Sequence, residues 1–152
     1  MDRIWIVSAN AARARVFERD PQTAALTETA AFVHPASRQH DRELDSDRAG
    51  HVQRGYASDS RGSTQYAPPL SAHERERARF ARELAAFIGR EVQARRCPGW
   101  ILFASDPFLG ELKATLGDAA RKALLCAEPC DLTASDGRQL GLRATATLEA
   151  VC

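Results

Sequence analysis

No stretch of this 152-residue chain comes near the roughly 20 consecutive apolar residues that a membrane-spanning helix needs. The first apolar run, Ile4-Trp5-Ile6-Val7, is too short for the apolar core of a signal peptide. The sequence therefore predicts a cytoplasmic protein with no membrane partner. Excess charge is missing as well. The 21 Lys and Arg stand against 20 Asp and Glu, so a net charge of +1 creates no global field toward nucleic acid or lipid. Cysteine is sparse: Cys97, Cys126, Cys130 and Cys152 fit neither a C-x-x-C redox motif nor a paired zinc pattern. Incidental thiols in a reduced compartment are the reading, and a metal site built on them is excluded. No internal repeat is present.

What remains is an ordinary globular composition, 44% hydrophobic and 27% charged. A chain of this length buries about 68–70% of its unfolded surface, enough for one domain spanning 1–152 without staples.

The largely apolar segment 3–9, unbroken from Ile4 to Val7, predicts a strand covered on both faces. Asn10-Ala11-Ala12 is a tight connection, and the alternating 14–19 segment predicts a half-exposed second strand. Asp20-Pro21-Gln22-Thr23 makes a turn, and Leu26 to Val33 a third strand. Short links between three strands imply an antiparallel meander. From 34 to 69 the chain turns polar, with Pro35, Gly50, Gly55, Gly62, Pro68 and Pro69. Polar excursions of this length in compact domains are usually functional or disordered. Arg38, Arg42, Arg48, Arg54 and Arg61 are matched there by Asp41, Glu43, Asp45, Asp47 and Asp59, a polyampholyte rather than a basic arm.

Ser71 and Glu74 form a capping box for a helix running to about Arg96, with Phe80, Leu84, Phe87, Ile88 and Val92 as its apolar stripe. Its opposite side carries Arg75, Arg79, Arg82, Arg90 and Arg96, interleaved with Glu76, Glu83 and Glu91. Trp100 to Ala104 is a second buried strand. Asp106 is expected to cap a helix with Pro107 in its first position, and a short helical turn follows Gly117. Lys122 to Glu128 reads as the last strand, and Ser135 as the cap of a terminal helix from Asp136 to about Ala150. The order β-β-β-loop-α-β-α-β-α gives an α/β fold: a mixed sheet of about five strands with helices on its faces.

Three kinds of chemistry fare poorly. A two-metal nuclease needs clustered carboxylates, yet the first strand offers Ser8 and Asn10. His34, His40 and His51 with Asp41 and Asp47 match no metal-site spacing and read as solvated loop residues. Ser8, Ser105 and His73 lack the Gly-x-Ser-x-Gly elbow of a hydrolase. No metal or cofactor is expected. The arginine side of the 71–96 helix is the best binding candidate: segment 73–96 holds seven arginines and four glutamates. Arginine suits phosphate through bidentate hydrogen bonds, although i,i+4 Glu–Arg pairing on a solvated face also accounts for such a pattern.

The chain also resembles a known family. The segments carrying the likeness are Ile4-Trp5-Ile6-Val7, Ala12 to Glu18, His34 to Arg38 and Asp41 to Gly50; later come Glu76 to Leu84, Phe108-Leu109-Gly110 and Asp131-Leu132-Thr133. In this order they resemble the bacterial host attachment protein family, described as required for attachment to host cells. The Asp41-Arg42-Glu43-Leu44 and Ser46-Asp47-Arg48 segment is the most specific part. That family is more distantly similar to the middle domain of archaeal and eukaryotic peptide release factors and of Pelota, which implies an RNase H-like mixed sheet. In release factors a loop in the place of 34–69 carries Gly-Gly-Gln, which promotes peptidyl-tRNA hydrolysis. Here the loop reads Arg61-Gly62-Ser63-Thr64-Gln65, without the glycine pair whose backbone angles other residues avoid.

Two readings follow. The first is a non-enzymatic interaction module that contacts structured RNA, the ribosome or a protein. Its surface comprises Arg38, Arg42, Arg48 and Arg61 of the loop and Arg75, Arg79 and Arg82 of the helix. The second is a release-factor-like hydrolase in which Gln65 positions water against an ester.

Overall fold

The two unbroken apolar runs occupy the middle of a five-stranded sheet. The computed structural model describes residues 3–34 and 71–151. In chain order the elements are β1 (Ile4–Ala9), β2 (Arg13–Arg19), β3 (Leu26–Val33), α1 (Ala72–Gln93), β4 (Gly99–Ala104), α2 (Phe108–Thr115), α3 (Asp118–Ala123), β5 (Leu124–Glu128) and α4 (Gly137–Val151). The strands lie side by side as β3-β2-β1-β4-β5. β1, β2 and β3 form the expected antiparallel meander, whereas β1, β4 and β5 run parallel. Parallel pairing requires crossovers, and the helices supply them. The result is the mixed α/β sheet anticipated above.

Local chemistry sets the corners. The Asn10 side-chain oxygen accepts from the backbone N–H groups of Ala12 and Arg13, closing the β1–β2 turn. Asp20 does the same for Gln22 and Thr23. Residues alternate along β1. Trp5, Val7 and Ala9 join Phe80, Leu84 and Ile88 of α1, Leu112 of α2 and Ala120 of α3 in the larger core. Ile6 faces the other way and meets Phe17, Phe103 and the Leu140, Ala144 and Leu148 stripe of α4. Full burial of each large side chain contributes about 1.5–3 kcal/mol, which is what fixes the helices on the two faces.

Several element ends differ from expectation. α1 ends at Gln93 rather than near Arg96, because Arg95 adopts a left-handed conformation (φ 65°) and the N–H groups of Arg96 and Cys97 turn back to the Glu91 carbonyl. Asp106 does not cap α2. Pro107 takes the cap position, and the N–H groups of Leu109 and Glu111 go to the backbone carbonyls of Ser105 and Pro107. The terminal helix is capped by Asp136 and not Ser135: Asp136 accepts from the Gln139 N–H at 2.8 Å, and the Gln139 side chain accepts from the Asp136 N–H at 3.2 Å. Lys122 belongs to α3, so β5 begins at Leu124. The Ser71–Glu74 capping box forms as expected. Among the described residues, no helix is long and apolar enough to cross a membrane.

Candidate functional site

At 100° per residue, Arg75, Arg79, Arg82 and Arg90 fall within an arc of about 80° on α1, opposite its buried stripe. All four are exposed. All four were expected on this side of the helix, and Arg75, Arg79 and Arg82 in the binding surface; the helix brings the four together. Arg96 does not join them: it lies beyond the helix end, where its guanidinium makes two hydrogen bonds back to Glu91, at 2.9 and 2.7 Å. Arg38, Arg42, Arg48, Arg61 and Gln65 lie outside the described residues.

Neutralisation of this face is incomplete. Glu76 turns inward to His34 and reaches Arg79 only at 3.6 Å. Glu91 is committed to Arg96, whose hydrogen bonds hold its carboxyl below the usual carboxylate range. Arg77, on the inner side, pairs with Glu111 of α2. Arg82 has no hydrogen bond or ion pair among the described residues, and Arg90 exerts only a longer-range pull on Glu91. The continuous i,i+4 Glu–Arg lacing considered from the sequence is therefore not how this face is built.

Arg82 and Arg90 stand beside a groove of about 410 Å³ whose lining includes Ala86 and Gly89 of α1, Thr115 at the end of α2, and Gly117. A Cβ at Gly89 or Gly117 would meet nothing within 4 Å, so the glycines leave backbone open to the groove rather than serving internal packing. Among the described residues, no carboxylate lines it. Nearby, Arg121 donates to the Leu116 carbonyl at 2.9 Å, adding a cation at the carboxyl end of α2. This arrangement of open cations over a small-residue floor suits an extended anion rather than a compact apolar ligand. The sequence held the arginines; the groove was not legible there, because it depends on how α2 ends against α1.

The other candidates resolve as structural. His34, read from sequence as a solvated loop residue, is 6% exposed and hydrogen-bonds Glu76 at 2.9 Å with its ring 5.1 Å from Phe80. His40, His51, Asp41 and Asp47 lie outside the described residues. Ser8 is fully buried, and among the described residues its hydroxyl has no partner and hence no base to activate it. Asn10 donates to Asp131 at 2.9 Å and to Thr133 at 3.2 Å, while Arg15 donates to the Thr133 and Ser135 carbonyls. At Asp131 burial raises the carboxyl, but the donors of Asn10 and Thr133 outweigh it and hold it low. That network pins the β5–α4 connection onto the β1–β2 turn. Among the described residues, no three His, Cys, Asp or Glu side chains are grouped to hold a metal ion.

Two solved structures align with this chain at low similarity. An archaeal translation termination factor, aRF1, aligns over 97% of this chain and 39% of its own, with 11% identity and a TM-score of 0.48. A type II crystal variant of the Aquifex aeolicus Ppx/GppA phosphatase aligns over 84% of this chain and 35% of its own, with 8% identity and a TM-score of 0.41. The chain thus spans well under half of either. No curated protein matches it. Residues 5–143, however, match the family described as "Protein required for attachment to host cells", and the chain belongs to that family.

Proposed function

We propose that this protein is a non-enzymatic interaction module whose α1 arginine stripe binds RNA through its phosphates, with the ribosome as the RNA-bearing particle to test. The observation that carries this reading is the pair Arg82 and Arg90, which have no ion-pair partner among the described residues and stand beside a groove that none of the described carboxylates lines. Guanidinium groups recognise phosphate oxygens bidentately and remain charged at any physiological pH. A net charge of +1 supplies no general attraction, so affinity must come from this local concentration of cations. Family membership supports an attachment-related, non-catalytic role. RNA contact would place this chain upstream of attachment as a regulator of other products, with no reaction of its own.

Co-sedimentation with ribosomes at low salt tests the reading. Native protein is expected to pellet with the particles, and Arg82→Glu/Arg90→Glu to stay in the supernatant. Arg138→Glu, a charge reversal on the exposed part of α4, is expected to sediment like the native chain. Native protein that fails to sediment, or a double variant that sediments as well as native, overturns it.

A further inference from the structure

We propose that the outward face of α4 pairs with the same face of a second copy of this chain, the two helices running antiparallel. At 100° per residue, Arg138, Leu142, Thr145 and Glu149 fall within an arc of about 60°, on the side of α4 away from its buried Leu140, Ala144 and Leu148. α4 covers the opposite face of the sheet from α1. The pairing therefore leaves the arginine stripe open and stands whether or not that stripe binds RNA.

Three observations converge on this partner. Leu142 is 66% exposed, more than any other large hydrophobic side chain among the described residues. An isolated surface leucine is ordinary, but this one stands at a groove of about 450 Å³ whose lining includes Ala24, Ala25, Leu26, Gly137 and Gly141. Second, little bulk keeps another helix away. Gly137, Gly141 and Thr145 recur every four residues, and small side chains at a contact let helix axes come close. A Cβ at Gly137 would meet nothing within 4 Å, and one at Gly141 only Leu26 at 3.8 Å, an ordinary contact. Internal packing thus requires neither glycine, although glycine is a poor helix former.

The third observation is charge. Arg138 stands near one end of the stripe and Glu149 near the other, and neither has a hydrogen bond or ion pair among the described residues. About 16 Å of helix axis separates them, too far for them to neutralise each other. A second α4 laid antiparallel sets Arg138 of each copy opposite Glu149 of the other. The same register sets Leu142 of each opposite Thr145 of the other, because both pairs share one midpoint, between Arg143 and Ala144. A two-fold interface demands this reciprocity. A parallel pair would oppose arginine to arginine and glutamate to glutamate. One stripe of four turns is a small contact, so the dimer is reversible rather than obligate.

Complementary charge reversals test the pairing. In sedimentation velocity, the native chain is expected to pass from monomer to dimer between about 1 and about 500 µM, as suits a small interface. Arg138→Glu and Glu149→Arg each turn two attractions into two repulsions, so each variant alone should dimerise at least about tenfold more weakly. An equimolar mixture of the two variants restores opposite charges at both ends and should dimerise at least as well as native. Leu142→Ser, which alters no charge, should weaken the native dimer too. All three positions are exposed, and circular dichroism confirms that each variant is folded. Arg138→Glu keeps the α1 stripe, so ribosome sedimentation and dimerisation report separately. A native chain still monomeric at about 500 µM overturns the proposal. So do single reversals that dimerise like native, or a mixture that stays monomeric while the native chain pairs.

Discussion

Replacing Glu76 with alanine tests the contact that closes the amino end of α1 onto the meander. His34 is the residue after β3, and Glu76 lies in the first turns of α1, 42 positions later. Both side chains are largely buried, at 7% and 16% exposure, with 2.9 Å between Nε2 and Oε2. A carboxylate only accepts, so Nε2 carries the proton and donates. Glu76→Ala leaves that N–H facing a protein interior, and an unsatisfied buried donor costs about 1–3 kcal/mol. For a chain of this size each kcal/mol lowers Tm by about 2–4 °C, so the expected loss is about 2–12 °C. Glu76→Gln keeps an oxygen acceptor in place and should lose less than half as much. Thermal unfolding followed by circular dichroism measures both, and amide exchange near Ser71 should speed up in the alanine variant alone. A Tm within 1 °C of native for Glu76→Ala, or equal losses for both variants, refutes the reasoning.

Three further outcomes are expected. Hydrogen bonds from Arg15, Arg96 and Arg143 hold Glu28, Glu91 and Glu128 below their ordinary values. Asp131 is held low by Asn10 and Thr133 against its burial. A depressed carboxyl contributes stability above its unfolded value that is lost as pH falls through the folded one, so Tm should hold from about pH 8 to 5 and drop below about pH 4; an unchanged Tm at pH 3 contradicts this. Burial pushes the Cys97 thiol up to about 12, so it should resist a thiol-specific reagent at pH 8 until the chain unfolds, while the partly exposed Cys126 and Cys130 react first. Gly89→Ala meets no steric obstacle and should stabilise the chain by about 0.5–1 kcal/mol in urea unfolding; destabilisation would mean that the groove wall is more crowded than described.

The sheet was legible because its signals are local. The runs Ile4-Trp5-Ile6-Val7 and Trp100 to Ala104 have no polar member to suggest an exposed face, and both strands are buried on the two faces. The α1 stripe of Phe80, Leu84 and Ile88 and the Ser71–Glu74 box also announce themselves within a few residues. The misses all involve competition between neighbours. Asp106 is a strong cap by type, but the Ser105 carbonyl takes the Leu109 N–H that it would have served. Ser135 and Asp136 were both plausible caps, and the Gln139 side chain decided for Asp136. His34 looked solvated because its partner, Glu76, is distant in sequence and sits on another element. For the candidate site, the arginine periodicity was visible. Which glutamates would be drawn away from it was not, since Glu76 and Glu91 are taken by His34 and Arg96.

The central claim, that unneutralised arginines on α1 bind RNA phosphates, is tested most directly by the salt dependence of affinity for a single-stranded RNA. Each phosphate contact on a single strand contributes about 0.7 to the slope of log Kobs against log salt. Engagement of Arg82 and Arg90 predicts a slope of about −1.4 for the native chain, and Arg82→Ala/Arg90→Ala should bring it close to zero. A native slope near zero, or one that the double variant leaves unchanged, contradicts the account.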